Sequence, residues 1–223
     1  MVVTKTFVWT HLPKAAGDTV ASVLSLFPEI IEFADPSVGR DKHARFQDRP
    51  DLVAGRQRVL CIRRLPTWQL SYSVFKSRHG LKNRLQPMDS RETMITGGAG
   101  DRNLAPFVEA GPVEGTRVWP DRWIRTENLI DDVLALLEEH HVEVTPKKLK
   151  KIRGMSPQNV GKNYERDVGA WFTDEMIGRM YEHNPLWREA EERAYSDASP
   201  LAQSSSAAPI GEGGLQSGSS GSH

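Results

Sequence analysis

The sequence predicts an α/β domain built on a mostly parallel central sheet flanked by helices. Three observations carry that expectation. The short runs Thr6–Thr10 and Arg58–Ile62 are rich in apolar, β-branched or aromatic residues, and each leads through a turn into a pattern of helical period. A third run, Arg122–Arg125, is followed by an amphipathic stretch, Asn128–His141. Strands alternating with helices in this way predict a parallel sheet of about four or five strands with helices on both faces.

In the first unit the strand Thr6–Thr10 ends at His11-Leu12-Pro13, since proline cannot donate to a ladder. Lys14-Ala15-Ala16-Gly17-Asp18-Thr19 is small and flexible, and Val20, Val23, Leu24 and Phe27 then recur at helical spacing, with Asp18 or Thr19 as the expected cap. Strand, small loop and helix N-terminus together make an anion site, where unsatisfied N–H groups meet the positive end of the helix dipole. Lys14 adds a full charge there. The loop is not G-x-x-x-x-G-K-[ST], because its lysine precedes the loop and it holds one glycine.

From Phe27 to Arg58 turn residues dominate, with a short edge strand expected around Ile30, Ile31 and Phe33 and a short helix over Arg49–Ala54. Arg58–Ile62 is a continuous apolar run, the pattern of a central parallel strand. After Arg63 and Arg64, Pro66 suits a first helical turn, and Trp68, Ser71, Tyr72 and Phe75 share one helix face. Lys76–Val118 shows no strand pattern and holds His79 and the run Gly97–Gly100; so long a stretch predicts a lid or a disordered segment. His140 and His141 suit the C-terminal end of their helix, and Lys147–Lys151 reads as a solvated helix face. Thr173 is the expected cap of a helix carrying Met176, Ile177, Met180 and Tyr181, and Trp187 opens the last helical turns.

The 223-residue chain suits one domain, expected over residues 1–195; from residue 196 to 223 Ser, Gly, Ala and Pro predict a disordered tail ending in linker-like sequence. Lys+Arg and Asp+Glu are both 29, so no global field draws in nucleic acid. Cys61 is the single cysteine, which fits a reducing, cytoplasmic setting. No run approaches the roughly 20 apolar residues of a membrane span, and the N-terminus reads as a strand rather than a signal peptide.

The order H-L-P-K-A-A-G-D-T (His11–Thr19) resembles the 5′-phosphosulfate-binding loop of sulfotransferases, written H-x-P-K-[TS]-[GA]-[GS]-T-S in the carbohydrate branch. Ala15 and Ala16 stand where Thr/Ser and Gly are usual, and Asp18 replaces a Thr. R-R-L-P-T-W-Q-L-S-Y-S (Arg63–Ser73) is similar to the family's 3′-phosphate motif, R-[DN]-P-x-x-R-x-x-S-x-Y. Arg63 and Ser71 match. Arg64, Leu65 and Trp68 depart, and Pro66 is displaced by one. Trp123–Leu129 resembles the family's F-[IV]-R-x-E-x-L, and the loop Ser156–Asn163 its late cofactor-closing loop, with Lys162, Asn159 or Asn163 near the 3′-phosphate.

The resemblance implies a P-loop-kinase-like fold and sulfuryl transfer from 3′-phosphoadenosine-5′-phosphosulfate (PAPS), leaving adenosine 3′,5′-bisphosphate (PAP). The acceptor would be a hydroxyl or amine on a carbohydrate or small metabolite. It assigns cofactor contacts to Lys14, Ala15, Ala16, Gly17, Asp18, Thr19, Arg63, Ser71 and Lys162, and charge stabilisation to Lys14. No metal is required. For the base the choice is His43, which lies between the two motifs, where related enzymes carry a histidine that titrates near working pH. His11 is expected to orient the loop, and His79 and Glu32 are the reserves. Two other classes stay open: a P-loop-like nucleotide kinase or NTPase, and a non-catalytic nucleotide-binding scaffold.

Overall fold

The structure, a computed structural model, describes residues 1–36, 43–80, 89–110, 116–156 and 164–196. The expected tail falls almost wholly outside them. Five strands form a central sheet: β1 (Val2–Thr4), β2 (Phe7–His11), β3 (Ile31–Ala34), β4 (Gln57–Ile62) and β7 (Arg122–Arg125), in the order β3-β1-β2-β4-β7. The chain is α/β as expected, but the sheet is mixed. β2, β4 and β7 run parallel, whereas β1 is antiparallel to both β2 and β3. The expected first strand is the second arm of a hairpin. Thr4 closes the turn, its hydroxyl accepting from the Phe7 amide at 3.0 Å and donating to the Phe7 carbonyl at 2.9 Å. A side chain that satisfies both groups of one backbone residue makes so short a reversal possible.

β5 (Glu109–Ala110) and β6 (Arg117–Val118) form a separate two-stranded ladder. The helices are α1 (Gly17–Leu24), α2 (Pro50–Val53), α3 (Leu65–Gly80), α4 (Arg91–Thr96), α5 (Ala99–Leu104), α6 (Leu129–Glu139), α7 (Pro146–Arg153), α8 (Asp174–Glu182) and α9 (Pro185–Tyr195). None of the described helices is long and apolar enough to cross a membrane. Along β2 the pleat sends Phe7 and Trp9 into the main core and Val8 into a smaller cluster on the opposite face. There Val8 meets Val3, Ala44 and Phe46, with Leu52 and Val53 of α2 packed against them.

The expectation of a lid or disordered stretch over 76–118 is corrected for its described part, which is largely helical: α3 runs on to Gly80, and α4 and α5 follow. The glycines at 97–100 have structural uses. Gly98 is left-handed at φ 58°, and a Cβ on Gly100 would come within 2.8 Å of both Asn184 and Leu65.

Carboxylates cap two of these helices from a distance. Asp101 of α5 accepts from the Leu186 and Trp187 amides at the start of α9, at 3.0 and 2.8 Å. Glu191 of α9, only 3% exposed, accepts from the Leu65 amide at the start of α3 at 2.6 Å, from Arg64 at 2.9 Å and from the Tyr181 hydroxyl at 3.0 Å. Each carboxylate satisfies helix N-terminal donors that would otherwise be buried without a partner. Burial pushes the Glu191 carboxyl up, against the pull of Arg64 and the Leu65 amide. Glu191→Ala strands those donors, so it should lower the stability of the fold by about 1.5–3 kcal/mol in urea unfolding, the scale of hydrogen bonds to a charged group.

Candidate functional site

β2 and β4 end in register, His11 opposite Cys61, so the loops after them emerge side by side at the carboxyl edge of the sheet. In the first loop Lys14 and Ala16 are left-handed, at φ 69° and 59°, while Ala15 and Gly17 are not. Each such non-glycine residue costs about 1–2 kcal/mol. Successive residues of alternating hand turn their amides toward one point, the backbone arrangement that binds anions. The Ala16 carbonyl then accepts from Thr19 and Val20 at 3.0 and 3.3 Å. Ala16 is therefore the cap of α1, not Asp18 or Thr19, which lie in its first turn. Asp18 suits the helix dipole there, although its charge opposes that of a bound anion.

Gly17 lies directly beneath His11. A Cβ at residue 17 would stand 1.9 Å from His11 Cδ2, so only hydrogen fits. The His11 ring stacks on Trp9, with centroids 5.1 Å apart, and meets His43 edge-on at 4.6 Å. His43 is held by its own segment. The buried Thr10 hydroxyl donates to the Ala44 carbonyl at 2.6 Å, and His43 Nδ1 lies 3.4 Å from the His11 carbonyl. When Nδ1–H donates to that carbonyl, Nε2 is the basic nitrogen.

The second loop is anchored to the first. The Arg63 guanidinium donates to the Lys14 carbonyl at 3.5 Å and to Thr67 Oγ1 at 3.1 Å. The indole of Trp68 donates to the Pro13 carbonyl at 2.8 Å, and that of Trp187 to the Arg63 carbonyl at 3.1 Å. α3 is buried on most sides: Leu65, Trp68, Gln69, Leu70, Ser73, Val74 and Ser77 are all covered. Thr67, Ser71 and Phe75 form a more open row at successive i+4 positions. Thr67 holds Arg63 at one end of the row, and Lys14 Nζ stands 4.8 Å over the Phe75 ring at the other. Ser71 lies between them.

Arg63 differs from the other arginines around it. Arg58 pairs with Asp121, Arg64 with Glu191 and Arg125 with Asp132, but among the described residues Arg63 meets only neutral oxygens. Burial pulls its pKa down; Tyr164, Glu127 and Tyr195 oppose this, and the charge of Arg166 adds to the lowering. A part-buried cation whose hydrogen bonds end on neutral oxygens favours an anionic ligand.

The structure thus gathers Lys14, Ala15, Ala16, Gly17, Arg63 and Ser71 at one edge of the sheet, with His43 joined to the loop through His11. Lys162, Asn159 and Asn163 lie outside the described residues, as does the His79 side chain. Glu32 is not brought to the site: it pairs with Arg56 at 2.8 Å on the outer strand β3. Cys61 is buried, its thiol pushed up to about 12 by that burial, and its Sγ accepts from the Trp9 indole at 3.3 Å. Sequence reasoning missed Thr67, although its i+4 spacing from Arg63 was a usable signal. Arg166 and Glu191 carried no such signal, since only the fold brings them near Arg63 and Arg64. No family model matches the chain, and no curated protein or solved structure matches it.

The contact between Gly17 and His11 gives a direct test. Gly17→Ala should displace the His11 ring and lower stability by about 1–3 kcal/mol, the usual scale of overpacking. The His43 imidazole signals should move in an NMR spectrum, because the two rings touch.

Proposed function

We propose that the protein is a sulfotransferase that takes its sulfuryl group from PAPS and passes it to a hydroxyl or amine acceptor of a carbohydrate or small metabolite. The observation that carries this reading is Arg63, whose hydrogen bonds end on neutral oxygens, beside the left-handed lysine loop. Two anion-binding features at adjacent strand ends suit a ligand with two separate anionic groups. The donor, when bound, supplies an activated sulfuryl group and a bisphosphate leaving group.

The chain's own residues divide the work. The amides of the Lys14–Gly17 turn and the Lys14 ammonium are fixed donors for charge that builds as the bridging bond breaks. Arg63 and Ser71 recognise the second phosphate, with a forked guanidinium and a hydroxyl on the open row of α3. His43 Nε2 takes the acceptor's proton, and the His11 carbonyl fixes the tautomer. Trp68 and Trp187 hold both loops still, so little reorganisation accompanies binding.

PAP should stabilise the fold without magnesium, by about 2.7 kcal/mol at a hundredfold excess over Kd. The absence of any thermal shift at millimolar PAP, or turnover of ATP that needs magnesium, would overturn the reading.

The mutants should separate the roles. Arg63→Ala should weaken PAP binding by about 1.5–3 kcal/mol but matter less for adenosine 5′-phosphosulfate, which lacks the 3′-phosphate. His43→Ala should leave PAP affinity nearly intact while kcat falls by roughly 10²–10⁴. Lys14→Ala should damage both, as measured by calorimetry and by labelled sulfate transfer over an acceptor panel.

A further inference from the structure

Phe75 is the one exposed large apolar side chain among the described residues, at 37%. It ends the open row of α3, in line with Thr67 and Ser71, and its ring lies 4.8 Å below Lys14 Nζ. An aliphatic residue at an exposed helix position could not hold an ammonium. An aromatic face can, because its quadrupole attracts a cation. The backbone of Lys14 is already fixed by its left-handed turn and by the Arg63 bond to its carbonyl. Those backbone contacts do not reach the four-carbon stem, whose rotamer freedom opposes any contact the ammonium makes. Phe75 supplies a resting place for the far end of that stem.

We propose that Phe75 is a positioning residue for Lys14, holding its ammonium on the ring face so that an anionic ligand at the loop meets an already ordered cation. The inference rests on the reading of Lys14 as the cation of an anion site. It does not require that the anion be PAPS. A cation can lie on a ring face and be attracted to an anion at the same time, since the ring takes none of its hydrogen-bond donors in line.

The test is a series of full-length proteins with Phe75, Phe75→Tyr, Phe75→Leu, and mono-, di- and trifluorinated phenylalanine at position 75. Inorganic pyrophosphate is the probe by calorimetry, and PAP is the comparison ligand. Fluorination barely changes ring size but drains the quadrupole, so a packing role would give a flat series. Pyrophosphate affinity should fall stepwise with fluorination, Phe75→Leu should lose about two- to fivefold, and Phe75→Tyr should stay near wild type. The Lys14 Cε protons should be shifted upfield by the ring and lose that shift in Phe75→Leu.

A flat series, or affinity that rises with fluorination, would overturn the proposal; the second result would mean the ring holds the lysine away from the anion. Stepwise loss toward pyrophosphate with no preference of the wild type for PAP would uphold Phe75 and overturn the sulfotransferase reading. A wild type that binds neither ligand overturns both.

Discussion

Two packed tryptophans fix the part of this molecule that the rest of the site depends on. The Trp68 and Trp187 rings lie 4.6 Å apart and fully buried, and their indole N–H groups hold the carbonyls of Pro13 and Arg63. Those carbonyls belong to the two loops that leave the parallel strands β2 and β4. A buried indole that finds an acceptor contributes both apolar area and a directed bond, so it can specify where a loop lies as well as stabilise it. Trp187 can play this role only because α9 is seated, and α9 is seated by the chain of remote caps. Asp101 holds its start, and Glu191 on the same helix holds the start of α3. The N-terminus of α3, a natural anion site by its dipole, is thereby filled by the protein's own carboxylate. That end of α3 is therefore closed to an outside anion, and the more open part of the helix is the row Thr67, Ser71 and Phe75.

Charge placement follows from that arrangement. With a net charge of zero, selectivity for an anion has to come from local imbalance. The arginines at the strand starts and at the edge of the sheet are neutralised: Arg58 by Asp121, Arg56 by Glu32 and Arg125 by Asp132. The Arg63 hydrogen bonds end instead on one carbonyl and one hydroxyl, with the Glu127 carboxylate acting on it only through space. The neighbouring loop between β2 and α1 carries two left-handed non-glycine residues, Lys14 and Ala16, which a purely structural turn would more cheaply fill with glycine. Backbone strain of this kind persists where surrounding contacts over-determine it, and it gathers at functional sites. Here the Trp68 and Arg63 bonds to consecutive carbonyls, Pro13 and Lys14, supply that over-determination.

Much of this was legible in the chain. Apolar runs of strand length followed by helical periods determined β2 and β4, because burial on both faces of a parallel strand leaves a continuous apolar signature; the edge strand β7 showed itself instead by Trp123 and Ile124 just before an amphipathic helix. The Lys14 loop and the Arg63–Ser71 spacing were equally visible, since they depend on neighbours a few residues apart. Local chemistry also set the Thr173 cap, whose hydroxyl accepts from the Met176 amide at 3.3 Å.

What only the tertiary structure decided involves partners distant in sequence. The hairpin partner β1 was hidden because Met1–Thr4 is too short to show a period, and Thr4 closes the turn through a hydroxyl that reads as ordinary β composition. The start of α1 moved to Gly17 because the left-handed turn at Ala16 supplies the cap through its backbone, and no side-chain code reports that. The roles of Glu191, Asp101 and Trp187 depend on α5 and α9 packing together and on the Glu191 and Trp187 links to the β4–α3 junction. Sequence determined which residues carry the charge and the helical spacing. The fold determined which of those charges are neutralised, because counter-ions 24, 63 and 127 residues away, those of Arg56, Arg58 and Arg64, are chosen by packing and by no local rule.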